Sequence, residues 1–370
     1  MALPLVPRAI AGQPWAPLFS ATFLAAFGFI TLYSAAGAKL LPWALPHGVR
    51  YSVFLGMALA ISYVRPTWFR DTVIYQYVGV MLLLIVVLAV GVVGGGARSW
   101  LDFGPIRLQP SELMKPILVI ALATFYSTMP PRHITTMGAI WPAGVMIGIP
   151  VVVILLQPDL GTSLLLIFSG ITTMFLAGLP LKWFIGGALA IGGAVPAIFP
   201  FLMPHQQKRI MILLDPSQDP LGAGYHITQS TIAIGSGGIT GRGYLNGTQS
   251  HLNFLPEQHT DFIFSAMAEE WGLIGGIVVL IALGVLLRWG VRVSLAARGR
   301  YEMLAAGGLT SIIFFYAAIN LMMVMGLAPV VGIPLPLLSY GGSAMMTVMI
   351  CLGLLMGIDR QNRRDRERRR

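Results

Sequence analysis

HLNFLPEQHTDFIFSAMAEEWG, residues 251–272, closes a long polar segment and opens an apolar one. Leu255-Pro256-Glu257 interrupts whatever regular backbone precedes it, because proline fixes φ and donates no backbone hydrogen bond. His259, Thr260 and Asp261 follow, and Phe262-Ile263-Phe264 then begin a hydrophobic run that lasts to about residue 287. Counting about 100° per residue along a helix begun here places Glu269 about 80° from Asp261 and Glu270 on the opposite side. An acid at such a mouth sits where water ends and low dielectric begins. Burial there raises its pKa and lengthens the reach of its charge.

The rest of the chain explains why this edge exists. Of 370 residues, 56% are hydrophobic and 10% charged, and the mean hydropathy is +0.78. A soluble domain carries about 25% charged residues. The chain is therefore read as an all-α integral membrane protein. Apolar runs long enough to span, about 20 residues each, fall at 17–37, 48–64, 72–94, 109–127, 135–156, 161–180, 182–203, 262–287, 302–326 and 340–358. They predict a bundle of about ten helices, with one long outer loop over 204–260 and a basic tail over 359–370. No repeat, flexible linker or second domain interrupts residues 1–370. The first run is longer than a signal-peptide core of roughly 7–15 residues, so it is read as a first span.

Charge supplies the orientation. With the N-terminus inside, 16 of the 24 Lys and Arg fall on inner segments, as the positive-inside rule requires. The net charge of +10 resides in short loops and the tail, a distribution that suits anionic membrane lipid rather than nucleic acid. The single Cys351 forms no internal disulfide. The acids Asp102, Glu112, Asp159, Glu257 and Asp261 instead gather at the outer mouths.

Three segments carry chemistry. In Gln109-Pro110-Ser111-Glu112-Leu113-Met114-Lys115-Pro116, proline suits the first helical position. Glu112 then meets the positive end of the helix dipole, and Lys115 lies on the same face three residues on. Pro116 leaves the Glu112 carbonyl without its helical partner. The pair reads either as a structural ion pair or as a lysine held ready for an anionic headgroup. In Gln157-Pro158-Asp159-Leu160-Gly161-Thr162-Ser163, Asp159 is a helix cap or the lining of a site beside Glu112. The long loop carries Lys208-Arg209 and the glycine-rich 235–243 stretch with Arg242, where backbone N–H groups suit phosphate oxygens. Its Ile227, Ile232 and Ile234 suggest a helix at the interface. The histidines, His259 among them, show no metal-binding spacing.

Taken together, these segments resemble the SEDS family (shape, elongation, division and sporulation). The resemblance rests on Gln109-Pro110-Ser111-Glu112-x-x-Lys115, Gln157 to Ser163, Asp219-Pro220-x-Gly222-x-Gly224-Tyr225, Gly235-Ser236-Gly237-Gly238, Leu255 to Phe264, and Pro334 to Ser343. Ala97 to Asp102 and Gly247 to Pro256 favour its elongation branch over its division branch. Ala344 departs from relatives that often place a second serine there.

The resemblance implies a peptidoglycan glycosyltransferase that polymerises lipid II at the outer face of the bacterial cytoplasmic membrane, both termini being cytoplasmic. It also implies a class B penicillin-binding protein as transpeptidase partner, within a complex of elongation membrane proteins. By the same resemblance Asp261 is the essential loop aspartate, Glu112 and Lys115 the functional acid–base pair, and Asp159 a further functional acid. The accompanying mechanism makes Asp261 the base toward the acceptor hydroxyl. Lys115, Arg98, Arg209 and Arg242, or a divalent Mg or Mn ion on the same acids, then receive the pyrophosphate. Gln109, Ser111 and His259 complete the expected substrate contacts. The rival expectation is a transporter or flippase of a polyprenyl-linked precursor. Such proteins tend to place their polar site near the midplane on repeated, broken helices. A scaffold that only recruits partners has no need of an acid–lysine pair in apolar surroundings.

Overall fold

The computed structural model describes residues 13–94, 97–102, 104, 107–201, 207, 211, 222–252, 254–255 and 257–367. Ten helices coincide with the ten apolar runs: α1 (Trp15–Ala35), α2 (Ala44–Ile61), α3 (Pro66–Val90), α4 (Pro110–Thr128), α5 (Met137–Leu155), α6 (Leu160–Leu176), α7 (Leu181–Ile198), α9 (Ile263–Ala296), α10 (Arg300–Val324) and α11 (Gly342–Glu367). Among the described residues, seven are long and apolar enough to cross a membrane by length and composition. Of the others, α6 spans 17 residues, and α4 carries a buried acid and lysine near its start. An additional helix, α8 (Ala223–Gly237), and one turn at Thr248–His251 occupy the described part of the long loop.

Helix α4 is the axis of the bundle. It packs against α3, α5, α6, α10 and α11, and most of its residues are buried. Lipid tails are as apolar as leucine, so packing and hydrogen bonds hold such helices together more than hydrophobic burial does. Two arginines do this at one end. Arg300 donates to the carbonyls of Met129 at 2.8 Å and Ala177 at 3.2 Å, just past the ends of α4 and α6. Arg360 donates to Ser62 O at 3.1 Å, at the end of α2, and lies over the Tyr63 ring at 3.8 Å. Both place a cation where unpaired carbonyls leave negative charge. The basic residues 359–367 are thus the last turns of α11, docked on neighbouring helices.

Three features differ from the sequence expectation. Residues 92–108 include three short antiparallel strands, β1 (Val92–Gly94), β2 (Ala97–Asp102) and β3 (Arg107–Leu108), in the order β1-β2-β3. Helix α8 presents Ile227, Ser230 and Ala233 inward against α9 and α10, while Ile232 is exposed. Ser230 ties it to Ser265 at 2.7 Å and to Val324 O at 2.6 Å. Helix α9 runs on to Ala296 and is broken at Gly272, whose φ is 64° and ψ −160°. At that break, Leu273 N donates to Gly238 O at 2.9 Å and Gly243 N to Glu270 O at 3.1 Å. The glycine-rich loop is therefore fastened into the gap in α9.

Candidate active site

Gln109 is the extended residue before α4, and Pro110 occupies its first turn. That start delivers Glu112 and Lys115 to one inward face. Lys115 Nζ donates to Glu112 Oε1 at 2.7 Å, and the two side chains are 1% and 6% exposed. Lys115 also donates to the Tyr316 hydroxyl of α10 at 2.5 Å, 4.6 Å from that ring's centroid. The Tyr316 hydroxyl in turn donates to Glu112 Oε2. Thr347 of α11 donates to the same oxygen at 2.7 Å and to the Glu112 carbonyl at 3.1 Å. A buried ion pair offsets its desolvation only when its remaining valences are filled. Here Tyr316 of α10 and Thr347 of α11 fill them.

Toward the mouth, Asp159 caps α6, accepting from Thr162 N at 3.0 Å. Its other oxygen accepts from Gln109 Nε2 at 2.9 Å. Ser343, in the first turn of α11, donates to Gln109 Oε1 at 3.4 Å. Gly161 permits the next contact: a Cβ there would lie 2.4 Å from the Val331 carbonyl. The cap of α6 is thereby pressed against the 331–333 segment that borders Asp261.

Asp261 lies outside α9. It belongs to a turn closed by Thr260 N to Glu257 O at 3.0 Å and Phe262 N to Glu257 O at 3.3 Å, and the helix begins at Ile263. The helical-wheel relation expected between Asp261 and Glu269 therefore does not hold. Asp261 is half-buried. Burial first, and the nearby Glu257 charge second, push its carboxyl up to about 7. His259 stacks on Trp43 at 4.3 Å, and its carbonyl accepts from Tyr340 N at 2.9 Å. Burial lowers its pKa, against the opposing pull of Glu257.

Arg50 of α2 lies 4.6 Å over the Tyr340 ring, beside Gly342. Among the described residues no carboxylate pairs with it. No sequence motif singles out Arg50, whose setting appears only where α2 meets Tyr340. Tyr316 and Thr347 were likewise invisible, since hydroxyls on apolar helices carry no spacing signal of their own.

The remaining sequence candidates divide. Ser111 is fully buried, and its hydroxyl finds no hydrogen-bond partner among the described residues. Arg242 is exposed and bonds Thr248 at 2.8 Å, part of a clasp in which Glu269 accepts from Thr248 N at 2.8 Å and Gln249 N at 3.0 Å. No ion pair or hydrogen bond joins Arg242 to Asp261. The backbone of Arg98 lies in β2, its side chain being outside the described set, and Arg209 lies wholly outside the described residues. Among those residues, no three His, Cys, Asp or Glu side chains come together as a metal-holding group.

The bundle and this site define a polytopic membrane protein with its acid–base groups gathered at one end. It belongs to the FtsW, RodA and SpoVE family, the SEDS proteins, whose description is "Cell cycle protein" and which residues 15–364 match. The chain is 41% identical over 339 residues to the peptidoglycan glycosyltransferase MrdB of Escherichia coli K12, covering 90% of both proteins. One solved chain, from a study of polymerization and crosslinking by a peptidoglycan synthase complex, has TM-score 0.83 and 31% identity, covering 95% of this chain and 98% of the other. The rod shape determining protein RodA of Thermus thermophilus has TM-score 0.68 and 27% identity, covering 95% of this chain and 97% of that one.

Proposed function

We propose that this protein is a peptidoglycan glycosyltransferase that polymerises lipid II at the outer face of the cytoplasmic membrane, with a class B penicillin-binding protein as its partner. The activity named for its MrdB relative and the synthase complex containing its structural neighbour support that reading. The arginine-capped end of the bundle carries the inner charge excess and faces the cytoplasm. The Asp261 end then faces outward.

The observation that carries the mechanism is Asp261, a half-buried acid near neutrality at the mouth of α9. A base is most effective when its pKa lies near the working pH. Asp261 removes the proton from the acceptor sugar's 4-hydroxyl as that oxygen bonds to the donor's anomeric carbon. The bond from that carbon to the pyrophosphate breaks on the opposite side, and the configuration inverts. Charge then gathers on the leaving pyrophosphate, where a waiting cation lowers the barrier. Among the described residues Arg50 has no carboxylate to neutralise it, and it takes this position. Lys115, already committed to Glu112 and Tyr316, supplies a fixed positive charge beneath.

The test is polymerisation of labelled lipid II by the purified protein with its partner. Asp261→Asn keeps lipid II binding and loses the long glycan products. Near-normal polymer from that variant would overturn the assignment, and vectorial transport of lipid II without polymer would favour a flippase.

A further inference from the structure

We infer that Asn320 is a positioning residue for Asp261, and that α10 is the strut on which both halves of the site are mounted. This rests on the reading of Asp261 as the base. The Asp261 carboxylate makes no hydrogen bond within the described residues, so its direction depends on how its backbone is held. Asn320 holds it. Its Nδ2 donates to the Asp261 carbonyl at 2.8 Å and to the Ile333 carbonyl at 2.7 Å.

Those acceptors belong to the two irregular segments that meet at the mouth, 257–262 and 331–341. Gly332 brings the second segment so near that a Cβ there would lie 3.6 Å from Asp261 Oδ2. Both amide hydrogens of Asn320 are thereby used, while its fully buried Oδ1 faces no donor among the described residues. A core position that leaves one polar atom unsatisfied is costly, so its two donor bonds are the asset.

Tyr316 stands one turn earlier on the same face of α10 and grips both Glu112 and Lys115. Arg300, at the other end of α10, grips the carbonyl that follows α4. Helix α10 is thus bolted to α4 at both ends and to the Asp261 turn above. The distance between the ion pair and the base is set by this one helix.

The experiment measures initial rates of lipid II polymerisation against substrate concentration for the full chain with its partner. Asn320→Leu, similar in size and without donors, is compared with wild type. Asn362→Ala serves as the control, because Asn362 makes a similar buried bond to Val293 O at 3.2 Å at the far end of the bundle. Positioning predicts a kcat at least about tenfold lower for Asn320→Leu, with KM within about threefold, and near-normal kinetics for Asn362→Ala. A kcat within threefold of wild type would overturn the inference, as would an equal loss in Asn362→Ala. If Asn320→Leu does not fold, Asn320→Ser, which keeps one donor, must fall measurably below wild type, and equal rates would refute the role. Absence of polymer from the wild-type chain would instead remove the underlying reading, and this inference with it.

Discussion

The Thr347 hydroxyl donates to the backbone carbonyl of Glu112, the group that Pro116 leaves without a helical donor, at 3.1 Å. The hydroxyl's single proton is shared between that carbonyl and, at 2.7 Å, the carboxylate of the same residue. Thr347→Val keeps the shape and removes both bonds. Leaving a buried acceptor unsatisfied costs about 1–3 kcal/mol, and thermal unfolding in detergent is expected to show a loss of that order. Thr347→Ser restores most of it.

The Glu112–Lys115 pair makes an unequal demand on its two members. Removing one partner of a buried pair costs about 3–5 kcal/mol, because the other charge is stranded, whereas replacing both is far milder. Lys115→Met is therefore expected to lower the unfolding midpoint more than the double variant Glu112→Gln with Lys115→Met. Folded yield and midpoint, measured side by side, decide it. A double variant worse than the single would mean that Glu112 ties α10 and α11 through Tyr316 and Thr347 whether or not Lys115 is charged.

Asp261 makes both stability and rate depend on pH, in opposite directions. Its carboxyl titrates near 7 in the folded chain, against 3.8 for an ordinary aspartate. Between those values the folded state retains a proton that the unfolded chain has released. The group's stabilising contribution is then full below the lower value and is lost as pH rises through about 7. Asp261→Asn abolishes that dependence and is expected to be the more stable protein above neutrality. Polymerisation by wild type rises through the same region, because only the carboxylate accepts the acceptor's proton. Glu257→Gln removes the second cause of the shift and moves the ascending limb to lower pH.

Much of this is legible in the sequence. Ten apolar runs become ten helices, because twenty consecutive apolar residues have few other ways to satisfy their backbone in lipid. The Gln109-Pro110 start, the three-residue spacing of Glu112 and Lys115, and the Asp159 cap are local chemistry, and the structure shows all three. What the sequence hid is what depends on which helices meet. Tyr316 lies 204 positions from Glu112, and Thr347 lies 235. Arg50 gains meaning only when α2 brings it over Tyr340. The 100° count from Asp261 failed because it assumed that the helix had already begun.

Arg50 is expected to be the residue that senses the pyrophosphate. A hydrogen bond to a charged group is worth about 1.5–3 kcal/mol, or about tenfold or more in binding. Arg50→Ala should lower kcat for polymerisation by that factor, as the loss of a group that meets charge developing in the transition state, and weaken inhibition by inorganic pyrophosphate in parallel. Arg50→Lys keeps the charge without the planar fork and should fall between. Titrating pyrophosphate against initial rates separates this from general damage, which would leave the inhibition constant unchanged.

The break at Gly272 gives the last test, because it joins the long loop to the helix that follows Asp261. A Cβ at Gly272 would meet Gly241 N at 2.4 Å and Ile239 O at 2.6 Å, and a φ of 64° is one that other residues rarely adopt. Those contacts are backbone, so no side-chain rotation relieves them. Gly272→Ala is expected to straighten α9 or expel the 238–243 segment. Either outcome loses the bonds from Leu273 to Gly238 and from Gly243 to Glu270. Limited proteolysis reads this directly, as cleavage within 237–252 that wild type resists. Polymerisation should fall with it, because residues 263–271 carry both the loop's anchor and the start of the helix behind Asp261. Undiminished protection in Gly272→Ala would mean that the loop is held chiefly by Glu269 and its clasp on Thr248 and Gln249.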